Sequence, residues 1–374
     1  MEHPHGYRTA IVLQGGGALG AYEYGVLKAL YETRPHFTPA VVTGISIGAI
    51  NAAVLVGAKD DPIRMLDHVW RQRFTALQPF PLSVKALSEY LLLPEVQKYL
   101  SVWGNAGMYQ LRPEFLYAPL LATSIYTLAP LRQTLEEVVD LKKLNGHAAP
   151  RVAVCAVNVA TGEFKTFDNK EGLSFDHIVA SGSLPPSFPM TPIHGQSYWD
   201  GGLVGNTPLS LAINYLEALE GGDPQVGREL IVVELFPMQA RPPQTLDEVL
   251  MRAAQLAFTS KLTLDQQLFA KFNDFVDLVQ RIDGALQALP TPEAQQIREH
   301  PGYAELARHR KIDAFTIITF HADAELALPG DFSTATIAAR IAAGYRDTIE
   351  QGIGEPTPTP VAVARIRSRA EPSR

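Results

Sequence analysis

One cysteine, Cys155, stands in a chain of 374 residues. No disulfide can therefore form within the chain, which fits a reducing compartment. Its setting, the apolar run at residues 152–157, suits a small packed side chain better than a reactive thiol. Long hydrophobic runs are missing as well. Nothing approaches the roughly 18 uninterrupted apolar residues that a spanning helix needs. The opening residues Met1-Glu2-His3-Pro4-His5 lack the basic start of a secretory leader. The expectation is a cytoplasmic protein, with peripheral contact to a membrane left open. A surplus of basic charge is also absent: 32 Lys and Arg stand against 39 Asp and Glu, a net charge of −7. That balance gives no global reason to bind nucleic acid. What remains, 46% hydrophobic and 19% charged residues, is the balance of a globular chain with a substantial core, in one large domain or two smaller ones.

Among what is present, Gly44-Ile45-Ser46-Ile47-Gly48 organises the rest. It reads G-x-S-x-G, with a β-prone run before it and an apolar, alanine-rich segment after it. Strand, tight turn, helix is the order in which this pentapeptide acts as a nucleophile elbow. Gly44 and Gly48 leave room on either side of a serine held at a sharp turn. The competing reading is a glycine-rich turn with a helix-capping serine.

Upstream, the buried-strand pattern Thr9-Ala10-Ile11-Val12-Leu13 runs into Gln14-Gly15-Gly16-Gly17-Ala18-Leu19-Gly20. Gly15, Gly17 and Gly20 satisfy G-x-G-x-x-G, which by itself suggests a dinucleotide site and a nucleotide-binding oxidoreductase. That reading expects an acid at the tip of the next strand, where this chain has Thr43-Gly44. The same loop can instead act as an anion cradle. If strands 9–13 and 40–44 are parallel neighbours, the amides of Gly16, Gly17 and Ala18 face Ser46 and form an oxyanion hole.

Further along, residues 47–59 predict a buried helix, followed by a polar helix carrying Arg64, Asp67, His68, Arg71 and Arg73. Residues 74–150 predict irregular helices and loops rich in aromatics. They are either a satellite core or an acyl pocket and membrane-facing lid. Residues 151–159 and 164–167 predict a hairpin. Ser174 caps a short helix ending at Gly182, and a proline-locked loop leads to Asp200-Gly201-Gly202. Strands are expected at 229–235 and 315–320. The pair Thr245 and Glu248 reads as a capping box for a helix that continues, with breaks, to about residue 286. Thr291-Pro292 starts another helix, and residues 337–349 form the last. From residue 352 a Pro/Thr stretch leads to Arg365, Arg367, Arg369 and Arg374. That is the composition of a disordered tail, kept for solubility or for weak attraction to anionic headgroups.

Ser46 needs a base, because a serine hydroxyl is a poor nucleophile at its own pKa. A triad using a later histidine such as His321 would follow the α/β-hydrolase order. That fold, however, needs strands upstream of the nucleophile for which this chain has no room. Asp200, in its long constrained loop, is the better-placed base.

With these residues in view, the chain resembles the bacterial patatin-like phospholipases. Residues 14–20 resemble the family's oxyanion loop, Gly44-Ile45-Ser46-Ile47-Gly48 its nucleophile elbow, and Asp200-Gly201-Gly202 its Asp-Gly-Ala/Gly motif. Ala180-Ser181 to Pro189 and Asn206-Thr207-Pro208 resemble the segments flanking that aspartate. Plant members have an Arg in the glycine-rich loop, where this chain has Leu19. That change leaves the backbone donors in place.

The resemblance covers about residues 7–215. It implies an α/β fold, three layers α/β/α around a central, mostly parallel sheet. It also implies hydrolysis of lipid acyl esters by a Ser46–Asp200 dyad without histidine, and no metal or organic cofactor. The partner it implies is a lipid ester. Residues 7–215 are expected as the catalytic domain, with 74–150 as an insertion. Residues 216–352 are expected to complete the sheet and add accessory helices. A catalytically idle lipid-binding protein of the same fold is the further alternative.

Overall fold

Four strands are buried along nearly their whole length and carry apolar runs, a pattern suited to a parallel sheet covered on both faces. The computed structural model describes residues 6–75, 104–219, 226–236, 242–244, 246–321 and 328–351. Its strands are β1 (Tyr7–Leu13), β2 (Val41–Gly44), β3 (Gly104–Asn105), β4 (Tyr109–Leu111), β5 (Tyr126–Thr127), β6 (Arg151–Asn158), β7 (Phe164–Asp168), β8 (Thr191–Ile193), β9 (Gln196–Asp200), β10 (Gly227–Glu234) and β11 (Ala314–Thr319). Its helices are α1 (Gly20–Thr33), α2 (Ile47–Gly57), α3 (Pro62–His68), α4 (Pro113–Tyr117), α5 (Ala129–Val138), α6 (Leu141–Leu144), α7 (Phe175–Ser181), α8 (Leu209–Ala218), α9 (Leu246–Gln287), α10 (Pro292–Glu299), α11 (Pro301–Arg308) and α12 (Thr334–Glu350).

The main sheet runs in the order β11-β10-β1-β2-β6-β9-β8, with β7 also paired to β6. Strands β11, β10, β1, β2 and β6 are parallel, while β7, β8 and β9 run against their neighbours. Alternation along each strand splits the core in two. Ile11, Leu13, Val42, Val154 and Val233 pack under α1, α2 and α12, and Ala10, Val12, Val41 and Val232 pack under α8. The result is the three-layer, mostly parallel α/β/α arrangement expected. The helices α1 and α12 cross at glycines. A Cβ on Gly344 would lie 2.1 Å from the Tyr22 carbonyl oxygen, and one on Gly25 would lie 2.2 Å from that of Ile341.

Three details differ from the sequence reading. The region after residue 103 is not all helix and loop, because β3, β4 and β5 form a small antiparallel sheet. Strands of two or three residues are too short to leave a periodic pattern. The segment before Asp200 is a hairpin rather than a loop. Pro192 sits on β8, the edge strand, where a missing N–H costs no ladder bond. His194 and Gly195 turn it, both at positive φ. Finally, α9 runs unbroken through residues 246–287, a stretch with no proline and one glycine, Gly284. Thr245 of the proposed capping box, the apolar residues between 76 and 103, and the arginine-bearing tail lie outside the described residues. Among the described residues no helix is long and apolar enough to cross a membrane.

Candidate active site

Parallel pairing of β1 with β2, in the register Leu13 opposite Gly44, brings the glycine loop and the Ser46 turn out side by side. Ser46 has φ 56° and ψ −121°, a backbone conformation that costs a non-glycine residue about 1–3 kcal/mol. Its side chain makes no capping hydrogen bond to α2, which removes the reading of Ser46 as a simple helix cap. The flanking glycines answer to space. A Cβ on Gly48 would lie 2.6 Å from the Leu13 carbonyl oxygen, and one on Gly44 would lie 2.3 Å from that of Gly48.

Asp200 ends β9 opposite Ala156 of β6, and it is almost wholly buried. It and Ser46 line the same cavity. Desolvation raises its carboxyl pKa to about 7, against the lowering effect of hydrogen bonds from the Ser46 side chain and the Gly202 amide. The Gly202 N–H donates to Asp200 Oδ1 at 2.8 Å. A Cβ on Gly201 would lie 2.6 Å from the Cys155 carbonyl oxygen, so the motif's first glycine lets the chain pass close to β6.

Of the expected oxyanion residues, Gly16 and Gly17 line the cavity beside Gly15. Gly17 has φ +56°, and a Cβ there would meet the Pro329 carbonyl oxygen at 2.6 Å. Ala18 differs from the expectation. It is buried, and its amide donates to the Pro329 carbonyl at 2.8 Å. The more distant glycine of the loop, Gly20, packs against α2, where a Cβ would lie 2.4 Å from Ile47. Leu19 is buried in the core.

Several positioning groups escaped the sequence reading. Ser181, at the end of α7, accepts the Ser46 amide at 3.1 Å and donates to the Cys155 carbonyl at 2.7 Å. It ties the strained turn to β6. Asn206 Oδ1 accepts the Gly15 amide and its Nδ2 donates to the Gly15 carbonyl, each at 3.0 Å. Gln14 reaches Thr207 at 2.7 Å and accepts the Leu235 amide at 2.8 Å. Glu23, fully buried, accepts from Asn51 of α2 at 2.8 Å, and burial raises its pKa well above the usual carboxylate range. The segments holding Ser181 and Asn206 were part of the resemblance, but nothing in their residue types alone assigned them these bonds.

The cavity has a volume of about 360 Å³ and is walled mainly by apolar side chains, among them Ile50, Met108, Tyr109, Tyr126, Phe188, Phe258 and Phe332. Phe188, Tyr109 and Phe332 lie in ring contact. Pockets of this size and lining take apolar ligands with a few convergent polar groups. His321 is absent from the lining of this cavity. Among the described residues no cluster of three or more His, Cys, Asp or Glu could hold a metal ion.

A profile of the family described as patatin-like phospholipase matches residues 11–213. The chain is 38% identical over 87 residues to triacylglycerol lipase 4 of Saccharomyces cerevisiae, covering 23% of this chain and 9% of the yeast protein. It is 25% identical over 233 residues to triacylglycerol lipase 5 of the same yeast, covering 57% and 26%. Over 222 residues it is 27% identical to a cGAMP-activated phospholipase of Escherichia coli, covering 54% and 53%. The chain thus spans about half or less of the length of these relatives.

Proposed function

The chain belongs to the patatin-like phospholipase family, and on that premise we propose that it is a serine hydrolase cleaving carboxylic esters of lipids through a Ser46–Asp200 dyad. The observation that carries this reading is a buried carboxyl, raised to a pKa of about 7, that shares the wall of an apolar cavity with a serine on a strained turn.

In the reaction, Asp200 takes the Ser46 hydroxyl proton as the serine oxygen attacks the ester carbonyl carbon. The tetrahedral oxyanion is held by the amides of Gly16 and Gly17. Ala18 adds a third donor only where the Pro329 carbonyl gives up its amide. The intermediate collapses to an acyl-enzyme, and the departing alcohol takes the proton from Asp200. Asp200 then deprotonates water, which attacks the acyl carbon and returns Ser46 as a hydroxyl with a free fatty acid. Burial suits Asp200 to this work. A carboxylate with an ordinary pKa would be a feeble base, whereas one near 7 is matched to neutral pH. The apolar wall accepts the acyl chain, and the same chemistry brings the protein to the periphery of a lipid phase.

Mass-spectrometric analysis of products from a mixed lipid extract tests the proposal. Free fatty acids should accumulate with the wild type and not with Ser46→Ala. Equal release by both proteins would refute it.

A further inference from the structure

The segment joining β4 to β5 carries eight consecutive apolar residues, 115–122. Four of them stand out in water. Leu120 is 98% exposed, Leu121 85%, Tyr117 75% and Leu116 63%, and no other described large apolar side chain exceeds 54%. Monomeric soluble proteins rarely leave such a concentration uncovered without a use for it.

The segment is also internally bonded. The Ala118 amide donates to the Glu114 carbonyl at 2.8 Å, and the Leu121 amide to the Ala118 carbonyl at 3.0 Å. At its base the Arg112 amide donates to the Ile125 carbonyl at 3.0 Å, and Arg112 Nη1 to Ser124 at 3.0 Å. Each backbone group paired within the turn lowers the cost of bringing it into a medium without water.

Its position is set by the two strands it joins. Tyr109 of β4 and Tyr126 of β5 both line the cavity that holds Ser46. Exposed apolar residues recur beside other lining residues. Leu203 and Val204 lie between Gly202 and Asn206, and Leu256 adjoins Gln255. Charge at the base is already matched, since Arg112 faces Glu114.

We propose that residues 112–125 are an interfacial anchor, with Leu116, Tyr117, Leu120 and Leu121 entering the acyl layer of a neutral lipid surface to seat the cavity mouth against it. The occupant is a lipid surface because the exposed apolar tip is carried on the two strands whose Tyr109 and Tyr126 line the cavity that would accept an acyl chain. This inference builds on the catalytic reading above, and it is tested separately from it. Attraction is apolar, so neither an anionic headgroup nor low salt is required.

The test uses the full chain carrying Ser46→Ala, so that vesicles are not consumed, and neutral phosphatidylcholine vesicles sedimented in about 0.5 M salt, where charges are screened within a few ångström. The parent should partition to the vesicles, and adding Leu120→Ser with Leu121→Ser should weaken partitioning at least about tenfold. The same pair with Ser46 intact should hydrolyse a water-soluble short-chain ester at the unaltered rate, which shows the fold preserved. Equal partitioning of the two proteins would overturn the proposal. So would binding seen only with anionic vesicles at low salt, or a dimer that the pair dissociates without affecting partitioning. If the wild type fails on the soluble ester while the partitioning difference remains, the catalytic reading falls and the anchor stands.

Discussion

Burial raises the Asp200 carboxyl to about 7, and this has opposite consequences for activity and for stability. Activity needs the carboxylate, so turnover of a soluble ester should climb with pH through about 7 and level off above it. A profile flat between about pH 5 and 9 would contradict Asp200 as the base. Stability runs the other way. An unfolded aspartate ionises near 4, so between that value and about 7 the folded chain binds the extra proton. The favourable contribution is full below the unfolded pKa and is lost as pH rises through the folded one. Asp200→Asn keeps an acceptor for the Gly202 amide without the buried charge. It should therefore melt higher than the wild type at about pH 8, by a difference on the order of a few kcal/mol that shrinks towards pH 5, while losing several orders of magnitude in turnover. Thermal scans at the two pH values check the first part and ester kinetics the second. Ser181→Ala strips the Ser46 amide of its partner. An orphaned buried amide costs about 1–3 kcal/mol, and the loosened turn should lower kcat about 10- to 100-fold with little change in KM.

At the scale of elements, the glycine loop is held from several parts of the chain at once. Asn206 clamps Gly15, Leu235 after β10 engages Gln14, and the turn before α12 supplies the Pro329 carbonyl to Ala18. That turn is itself fixed by Arg340 of α12, which donates to the carbonyls of Asp331 and Leu328, each at 2.7 Å. Burial lowers the Arg340 pKa to about 10, leaving it charged at neutral pH. Seating α12 depends in turn on the glycine crossing with α1. Gly344→Ala would press a methyl group into the Tyr22 carbonyl at 2.1 Å. Overpacking of this kind costs about 1–3 kcal/mol. Urea denaturation should place Gly344→Ala at or above the upper end of that range, and an unchanged midpoint would show that the helices part freely.

For the whole molecule, the pieces that announced themselves in sequence are the local ones. The strand–loop–helix units around residues 9–20 and 41–57 carry their turn glycines and apolar runs next to one another, so the sheet's centre and the Ser46 turn could be read directly. The hairpin of β6 and β7, the capped helix α7 and strands β10 and β11 were legible for the same reason. What could not be read depends on residues far apart in the chain. Nothing near Pro329 says that its carbonyl meets Ala18, and nothing near Ser181 says that it holds the Ser46 amide. The hairpin before Asp200 was hidden by Pro192, whose tolerance depends on β8 being an edge.

The same long-range pairing makes the C-terminal part a structural partner of the N-terminal one. Strand β10 pairs with β1 from Tyr7 to Leu13, so a chain cut to residues 7–215 would expose that full edge and lose α12. It should fail to give a cooperative melt and should aggregate, whereas the full chain should melt cooperatively. A cooperative, monomeric fragment would show that the two parts fold independently.

Intact-protein mass spectrometry after exposure to a fluorophosphonate probes Ser46 most directly, because the reagent reports an activated serine without requiring knowledge of the lipid. The account predicts a single adduct on the folded wild type, mapped to Ser46, absent from Ser46→Ala and strongly slowed in Asp200→Asn. No adduct on the folded wild type, or an adduct that persists in Ser46→Ala, would contradict it.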